Sequence, residues 1–261
     1  MEELRVNKYL ARCGVCSRRE ADRLIAQGEV LVNEEPAQPG MTVGEGDEII
    51  VQGRRVSGIR DSVVLAFYKP FGVTCTERDT HAEKTIFDLV QYPVRVTYAG
   101  RLDKESEGLL LLSNDGDLIQ AMMKGANRHE KEYLVKADKE ITPEFLRKMA
   151  GGIYLEELDA TTRECRVWKT GKDTFRIILT QGMNRQIKRM CAACGYRVRH
   201  LKRVRVMHVT LGDLKPGEYR ELGESVLVAT GQKGLDGAVE KRVWKLNPVE
   251  MIRKGRGGRN A

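Results

Sequence analysis

The 261-residue sequence predicts an α+β protein in two parts, a small module over residues 1–60 and a larger domain over residues 61–231. Three observations carry this. Two helix patterns open the chain and are followed at once by short strand-like pieces. A polar stretch, residues 53–62, separates them from a longer region. There, apolar strand segments and capped helices follow one another without regular βαβ alternation, which fits an α+β layer better than a doubly wound sheet. A chain of this length buries about 70–75% of its unfolded surface, so a sizeable core is available.

The first helix pattern places Val6, Tyr9, Leu10 and Cys13 on one stripe, with Arg5, Lys8 and Arg12 outside it. The second opens on Ser17-Arg18-Arg19-Glu20, a capping-box signature, and Gly28 is placed to end it. Ala21, Leu24 and Ile25 share its inner face; Arg18, Arg19, Asp22 and Arg23 lie outside. Residues 29–33 and 47–52 read as strands between turn-forming prolines and glycines. In the larger domain, residues 63–68, 95–98, 109–112, 132–136 and 175–180 read as strands. Thr142-Pro143 starts a helix with proline at its first position. Asn184 is placed to cap another helix and Gly195 to end it. Residues 232–261 carry eight basic and three acidic side chains and read as a flexible basic tail.

Composition narrows the function. No apolar run approaches the roughly 18 residues of a membrane span, and the N-terminus has no signal-peptide pattern. Six cysteines without that signal predict a reducing, cytoplasmic setting. The formal net charge is +8, and residues 180–210 alone hold eight basic residues and no Asp or Glu. Eight such cations repel one another, so a phosphate backbone is the expected neutraliser, against the plainer reading of a solvated charged face. The first sixty residues are not basic overall, with nine Lys and Arg against ten Asp and Glu, but their positive charge is concentrated on the helix pair. Helix arginines suit phosphate contacts better than base reading.

The chemistry is concentrated at Gly100-Arg101-Leu102-Asp103-Lys104-Glu105-Ser106-Glu107-Gly108, which precedes the apolar run Leu109–Leu112. Asp103 falls in a loop between two buried strands. Beside basic residues it can stay ionised and act as a nucleophile, or it can be an ordinary turn aspartate. Two Cys-x-x-Cys pairs, Cys13/Cys16 and Cys191/Cys194, suggest zinc by spacing alone. Their periodicity puts them on inward helix faces instead, where cysteine is a small hydrophobe. No P-loop or Gly-x-Gly-x-x-Gly cradle is present, and no cofactor and no metal are expected.

Gly-Arg-Leu-Asp at 100–103, followed by Glu-Gly and a leucine run ending in Asn-Asp-Gly, resembles the catalytic motif of the RsuA-type pseudouridine synthases. Residues 1–60 resemble an S-four-like RNA-binding domain through Arg5-Val6-Asn7-Lys8-Tyr9-Leu10 and Ser17-Arg18-Arg19-Glu20-Ala21-Asp22. Tyr68-Lys69-Pro70-Phe71-Gly72, His129-Glu130-Lys131-Glu132-Tyr133-Leu134-Val135 and residues 181–191 resemble further family motifs in the same order. The resemblance implies a catalytic domain with a mixed, mainly antiparallel sheet and flanking helices. It also implies an isomerisation of uridine, in which the glycosidic bond breaks, uracil turns and carbon 5 is rejoined to the sugar. Asp103 is then the nucleophile. Tyr133 stacks on the uracil near the proton leaving carbon 5. Lys188 stands where the family usually carries an arginine paired with the aspartate; lysine keeps the charge but loses the bidentate fork. Arg101 fills the gap left by the flipped base, unless it serves as a salt-bridge partner. Arg5, Lys8, Arg18, Arg19, Arg23, Arg185 and Arg189 are the further RNA-binding candidates.

The expected partner is a structured RNA, with no membrane and no second protomer. The motif forms most resemble the large-subunit ribosomal RNA enzymes, particularly the branch called synthase F, which favours a uridine in 23S ribosomal RNA over 16S ribosomal RNA or a tRNA anticodon loop. Two other classes stay open: a non-catalytic RNA-binding ribosome-assembly factor, and a hydrolase using Asp103 with Glu105 or Glu107 as an acid/base pair.

Overall fold

The computed structural model describes residues 3–44, 46–76 and 83–222, so the basic segment 232–261 lies outside the described residues. Two compact units emerge. The first runs to Val63 and takes in Tyr92–Thr97 and Ser113–Gly116; the second holds Val64–Gln91, Tyr98–Leu112 and the described residues from Asp117 onward. Asn114 shows why a distant stretch joins the first unit. Its Oδ1 accepts from Val63 N at 2.8 Å, and its Nδ2 donates to the Asp61 carbonyl at 2.8 Å.

In the first unit, α1 (Val6–Arg12) and α2 (Arg18–Ala26) pack beside β1 (Val30–Val32) and β2 (Ile49–Val51). The Ser17 side chain caps α2 by accepting from Glu20 N at 3.2 Å. Gly28, at φ +72°, turns the chain so that Glu29 N reaches the Leu24 carbonyl at 3.0 Å. β1 and β2 run antiparallel, with Val30 opposite Val51 and Val32 opposite Ile49. Those four side chains are buried against Val6, Leu10, Ala21, Leu24 and Ile25, the stripes the helical periodicity selects. Residues 29–33 and 47–52 thus contain strands, each ended by a residue in the left-handed region: Asn33 at φ 50° and Gln52 at φ 50°.

The second unit is built on one sheet. Its longer strands are β3 (Val64–Lys69), β4 (Glu107–Ser113), β5 (Lys131–Ala137), β6 (Arg166–Lys169), β7 (Thr174–Leu179), β8 (Val198–Val206) and β9 (Tyr219–Leu222). They lie in the order β6-β7-β5-β8-β4-β3-β9, and two-residue pieces on β4 and β8 bring the sheet to nine strands. The pairs β6/β7, β7/β5, β5/β8 and β3/β9 are antiparallel. β4/β8 is parallel, with Glu107 opposite Lys202 and Gly108 opposite Arg203. The sheet is therefore mixed and mainly antiparallel. Flanking helices are α3 (Gly116–Met123), α4 (Pro143–Ala150) and α5 (Gln186–Ala193). Thr142 caps α4 by accepting from Phe145 N at 3.1 Å, with Pro143 at the first position.

Two cores share the sheet. Phe145 and Met149 of α4 and Ile187, Met190 and Cys191 of α5 pack on Val135, Phe175 and Ile177. Leu118 and Met122 of α3 pack on Val64, Ala66, Leu109 and Leu111. Each fully buried Leu, Ile or Phe contributes about 1.5–3 kcal/mol relative to exposure. The strands that periodicity locates are the apolar ones. β8 escapes it because Val-Arg-His-Leu-Lys-Arg-Val-Arg-Val is charged at four positions and carries a histidine at a fifth, yet sits in the middle of the sheet.

Gly108 is the tightest point. At φ +109°, a Cβ built on it stands 2.2 Å from the Arg203 carbonyl oxygen. Gly108→Ala is therefore expected to destabilise the protein by about 3 kcal/mol or more, through backbone strain plus overpacking. Gly28→Ala, strained at φ +72° but with nothing within 4 Å, should cost only about 1–2 kcal/mol. Urea unfolding of both variants checks the order; equal losses would contradict it.

Candidate active site

Asp103 lies in the turn that leads into β4. The turn is closed by Ser106 N donating to the Asp103 carbonyl at 3.0 Å, and Leu102 anchors it in the interior. The carboxylate itself remains 34% exposed, enough to meet a ligand. A second hairpin-like turn holds this one from below. Gly72 N donates to the Lys104 carbonyl at 2.8 Å. The Lys69 ammonium, fully buried, donates to the Ser106 carbonyl at 2.7 Å, the Pro70 carbonyl at 2.8 Å and the Lys104 carbonyl at 3.4 Å. Burial pushes Lys69 down to about 8, opposed by Cys75, Asp103 and Glu107 and reinforced by the Arg203 cation. Lys69 thus fixes the backbone on which Asp103 is mounted.

Lys188 reaches this turn from α5, whose Ile187, Met190 and Cys191 face the core. Its Nζ lies 3.8 Å from Asp103 Oδ2 and 2.8 Å from Glu105 Oε2. The Arg185 guanidinium stands 3.7 Å from the same Glu105 oxygen. A single ammonium is thus shared between two carboxylates, with the shorter contact on Glu105. The hydrogen bond and charge of Lys188, followed by the charge of Arg185, hold the Glu105 carboxyl below the usual carboxylate range. A carboxyl in that state is poorly suited to donate a proton near neutral pH. Glu107 accepts from Tyr68 Oη at 2.7 Å and faces His200 Nε2 at 3.3 Å. Both glutamates are thus engaged by other side chains than Asp103.

Asn184 does not cap α5. Arg185, left-handed at φ 50°, occupies the cap position without a side-chain cap bond, and Gln186 Oε1 accepts from Met183 N at 3.1 Å. Asn184 instead accepts from Arg189, through its carbonyl at 3.0 Å and its Oδ1 at 3.2 Å.

Tyr133 joins the site through the sheet. It is opposite Arg203 on β8, and Arg203 is opposite Gly108 on β4, so the three form one row leading towards the Asp103 turn. Tyr133 is half-buried against the α4/α5 core. Arg203 is buried, and its Nε donates to the Leu109 carbonyl at 2.7 Å. Lys69 and Arg203 are site-building residues that sequence reasoning did not single out. The available signal for Lys69 was its place at the end of a wholly apolar strand: β3 is buried on both faces, which forces the lysine inside.

The basic run 180–210 is not one cationic surface. Arg205 pairs with Glu132 at 2.9 Å and Glu130 at 3.1 Å, Arg189 contacts Glu157, and Arg185 and Lys188 meet Glu105. With Arg203 inside the sheet, much of the run is neutralised or used by the fold. The acids come from other segments. On α2, Arg23 is engaged by Glu20. Arg5, Arg19 and Arg101 are exposed and make no ion pair among the described residues; Arg18 is exposed as well. Among the described residues Arg101 thus has no salt-bridge partner.

All six cysteines are free. Cys13 and Cys191 are buried in helix faces, and burial pushes the Cys191 thiol up to about 12, which opposes the thiolate a metal needs. Among the described residues no group of three His, Cys, Asp or Glu is arranged to hold a metal ion, and no helix is long and apolar enough to cross a membrane.

Comparison with known proteins bears on this geometry. The family described as RNA pseudouridylate synthase matches residues 63–193, and the S4 domain matches residues 4–49. The dual-specificity RNA pseudouridine synthase RluF of Escherichia coli (strain K12) is 44% identical over 227 residues, covering 86% of this chain and 77% of that protein. An uncharacterized RNA pseudouridine synthase of Aquifex aeolicus (strain VF5) is 35% identical over 232 residues, covering 87% and 93%. A solved pseudouridylate synthase structure aligns with a TM-score of 0.64 at 28% identity, covering 87% of this chain and 100% of that one.

Lys69→Met should remove the donor from three carbonyls and destabilise the protein by about 1–3 kcal/mol. Chemical denaturation measures this. An unchanged midpoint would mean that the turn holds without its ammonium.

Proposed function

The chain belongs to the RNA pseudouridylate synthase family and is an RNA pseudouridine synthase; from that premise we propose that Asp103 is its nucleophile and a uridine of 23S ribosomal RNA its target. The observation that carries the catalytic assignment is the Lys188 ammonium 3.8 Å from the Asp103 carboxylate, on a turn whose backbone Lys69 holds. The reaction breaks the bond from uracil N1 to C1′ of the ribose and forms one from C5 to C1′. C5 loses a proton and N1 gains one. Atoms and electrons balance within the substrate, so the chemistry requires no redox partner.

Each side chain has a role in this scheme. Asp103 lies beside Lys188, which orients it by charge rather than by a bidentate fork. Glu105 draws Lys188 to one side, so the lysine is anchored even before RNA binds. Tyr133 offers its ring to the uracil from the central strand β5. Arg101, exposed two residues before Asp103, occupies the space the target base vacates. Residues 1–60 serve as the RNA-binding domain and 61–231 as the catalytic domain. Arg5, Arg18 and Arg19 supply phosphate contacts from the first. Lys8 and Arg23 act beside them, Arg23 by exchanging Glu20 for phosphate. Arg185 and Arg189 flank the catalytic turn and keep their acidic partners in the free protein. The motif forms shared with synthase F and the identity to RluF support the 23S target.

A pseudouridine map of ribosomal RNA and tRNA, read by carbodiimide modification and reverse-transcription stops in cells with and without the gene, tests the target. Loss of one stop in 23S RNA is expected. A stop lost from 16S RNA or a tRNA instead would keep the enzyme and overturn the target, and an unchanged map in cells without a redundant enzyme would favour the assembly-factor reading. Asp103→Asn is expected to lower isomerisation by more than about a thousandfold with RNA binding nearly intact; activity within about tenfold of the parent would remove Asp103 from the nucleophile role. Lys188→Arg should retain or raise turnover, measured at saturating RNA, because the fork can serve Asp103 and Glu105 together. A severe loss there would show that the lysine works through something other than its charge.

A further inference from the structure

Phe71 is 58% exposed, more than any other exposed large apolar side chain of the described residues, and it belongs to none of the core clusters. A lone surface aromatic is ordinary. This one is unusual in its mounting. It sits in a turn with Gly72, whose φ of +82° requires glycine and whose N–H donates to the Lys104 carbonyl at 2.8 Å. On its other side, the Lys69 ammonium ties the Pro70 carbonyl to those of Lys104 and Ser106. The Phe71 turn and the Asp103 turn are therefore one clamped unit, and the exposed ring is carried at a fixed place beside the catalytic turn. Arg101 and Lys104, exposed on the same unit, make no ion pair among the described residues. A rigid aromatic beside unpaired cations fits single-stranded nucleic acid: bases offer a π-face to the ring and the backbone offers phosphates to the cations.

We propose that Phe71 stacks on an unpaired base next to the target uridine. Extrusion of that uridine removes the neighbouring base's stacking partner, and the Phe71 ring replaces it. The inference rests on the catalytic reading of Asp103. It makes Phe71 a specificity-determining residue that selects targets whose neighbour can leave a helix, while the chemistry stays with Asp103, Tyr133 and Lys188.

The test uses the full chain and transcripts of 23S ribosomal RNA, 16S ribosomal RNA and tRNA labelled with tritium at uracil C5, since that position loses its proton in the reaction. The transcript that is turned over then serves for the kinetics. Phe71→Ala is expected to raise KM about tenfold or more with kcat within about threefold, the loss of one base stack. Phe71→Tyr should restore KM to within about threefold of the parent, whereas Phe71→Leu, apolar but without a ring, should behave like alanine. A synthetic substrate with an abasic site next to the uridine should raise KM of the parent by a similar factor and leave KM of Phe71→Ala unchanged. Four results overturn the inference while the parent stays active: KM of Phe71→Ala within twofold of the parent, rescue by leucine, equal losses of parent and alanine variant on the abasic substrate, or a fall in kcat at unchanged KM. A parent that releases no tritium from any transcript overturns the catalytic reading and this inference with it.

Discussion

The close parallel approach of β4 and β8 is the constraint on which the rest of the catalytic unit depends. The β6/β7, β7/β5, β5/β8 and β3/β9 registers are antiparallel, and this parallel one joins the half of the sheet that carries α4 and α5 to the half that carries α3. The approach is possible because residue 108 has no Cβ; one there meets Arg203 backbone atoms at 2.2–2.9 Å. Arg203 then turns its side chain inward to the Leu109 carbonyl. Once the two strands are locked, the turn before β4 and the helix before β8 are brought to the same place. Asp103 and Lys188, 85 residues apart, meet there. The Asp103–Lys188 contact follows from a backbone distance at a glycine.

A second consequence concerns charge. The unit buries Lys69 and Arg203 close enough for the Arg203 cation to add to the downward push that burial gives Lys69. Isolated buried cations are costly, and such groups persist where hydrogen bonds satisfy them. Lys69 has three carbonyls, all from the two turns that frame the site. The ammonium and the turns stabilise one another: the carbonyls solvate the charge, and the charge stops the turns from separating. Asp103, the proposed nucleophile, gains from this, because its backbone is held by a group that a substrate need not displace. The same clamp carries Phe71 and Arg101, so the two side chains proposed to meet RNA and the Asp103 carboxylate share one support.

The cations of the long basic run show how far a one-dimensional charge count misleads. Adjacent basic residues on β8 point to different environments. Arg203 enters the sheet interior, while Arg205 meets Glu132 on the neighbouring strand and Glu130 just before it. Strand pairing brings in acids from about seventy residues away, and the excess that looked like a phosphate-binding surface is partly an internal neutralisation. Among the described residues the exposed cations without an ion pair include Arg197 and Arg199 of the run and, outside it, Arg5, Arg19, Arg101 and Lys104. The absence of Asp and Glu from the run is equally well explained by acids placed across the sheet as by RNA.

Local rules were legible along the chain. Ser17, Thr142, Pro143 and Gly28 set helix ends by hydrogen bonds within a few residues. The apolar stripes of α1, α2 and α5 and the leucine run of β4 declare which faces go inward, because periodicity records burial directly. The position of Asp103 in a turn before a buried strand was legible for the same reason, and the motif order carried the family. β8 was not legible: its charges are satisfied by partners distant in sequence, so a central strand resembles a surface one. Asn184 looked like a cap, yet its side chain turned to Arg189. Lys188 could be proposed as a partner of Asp103 by resemblance, but its division between Asp103 and Glu105, the inward course of Lys69, and the pinning of the Phe71 turn all depend on non-local contacts. The sequence by itself determined the elements, their inward faces and the chemical groups available, because those follow from neighbours within a turn or two. Only the tertiary structure decided which charges meet, since an ion pair depends on distances that strand order and one missing Cβ impose.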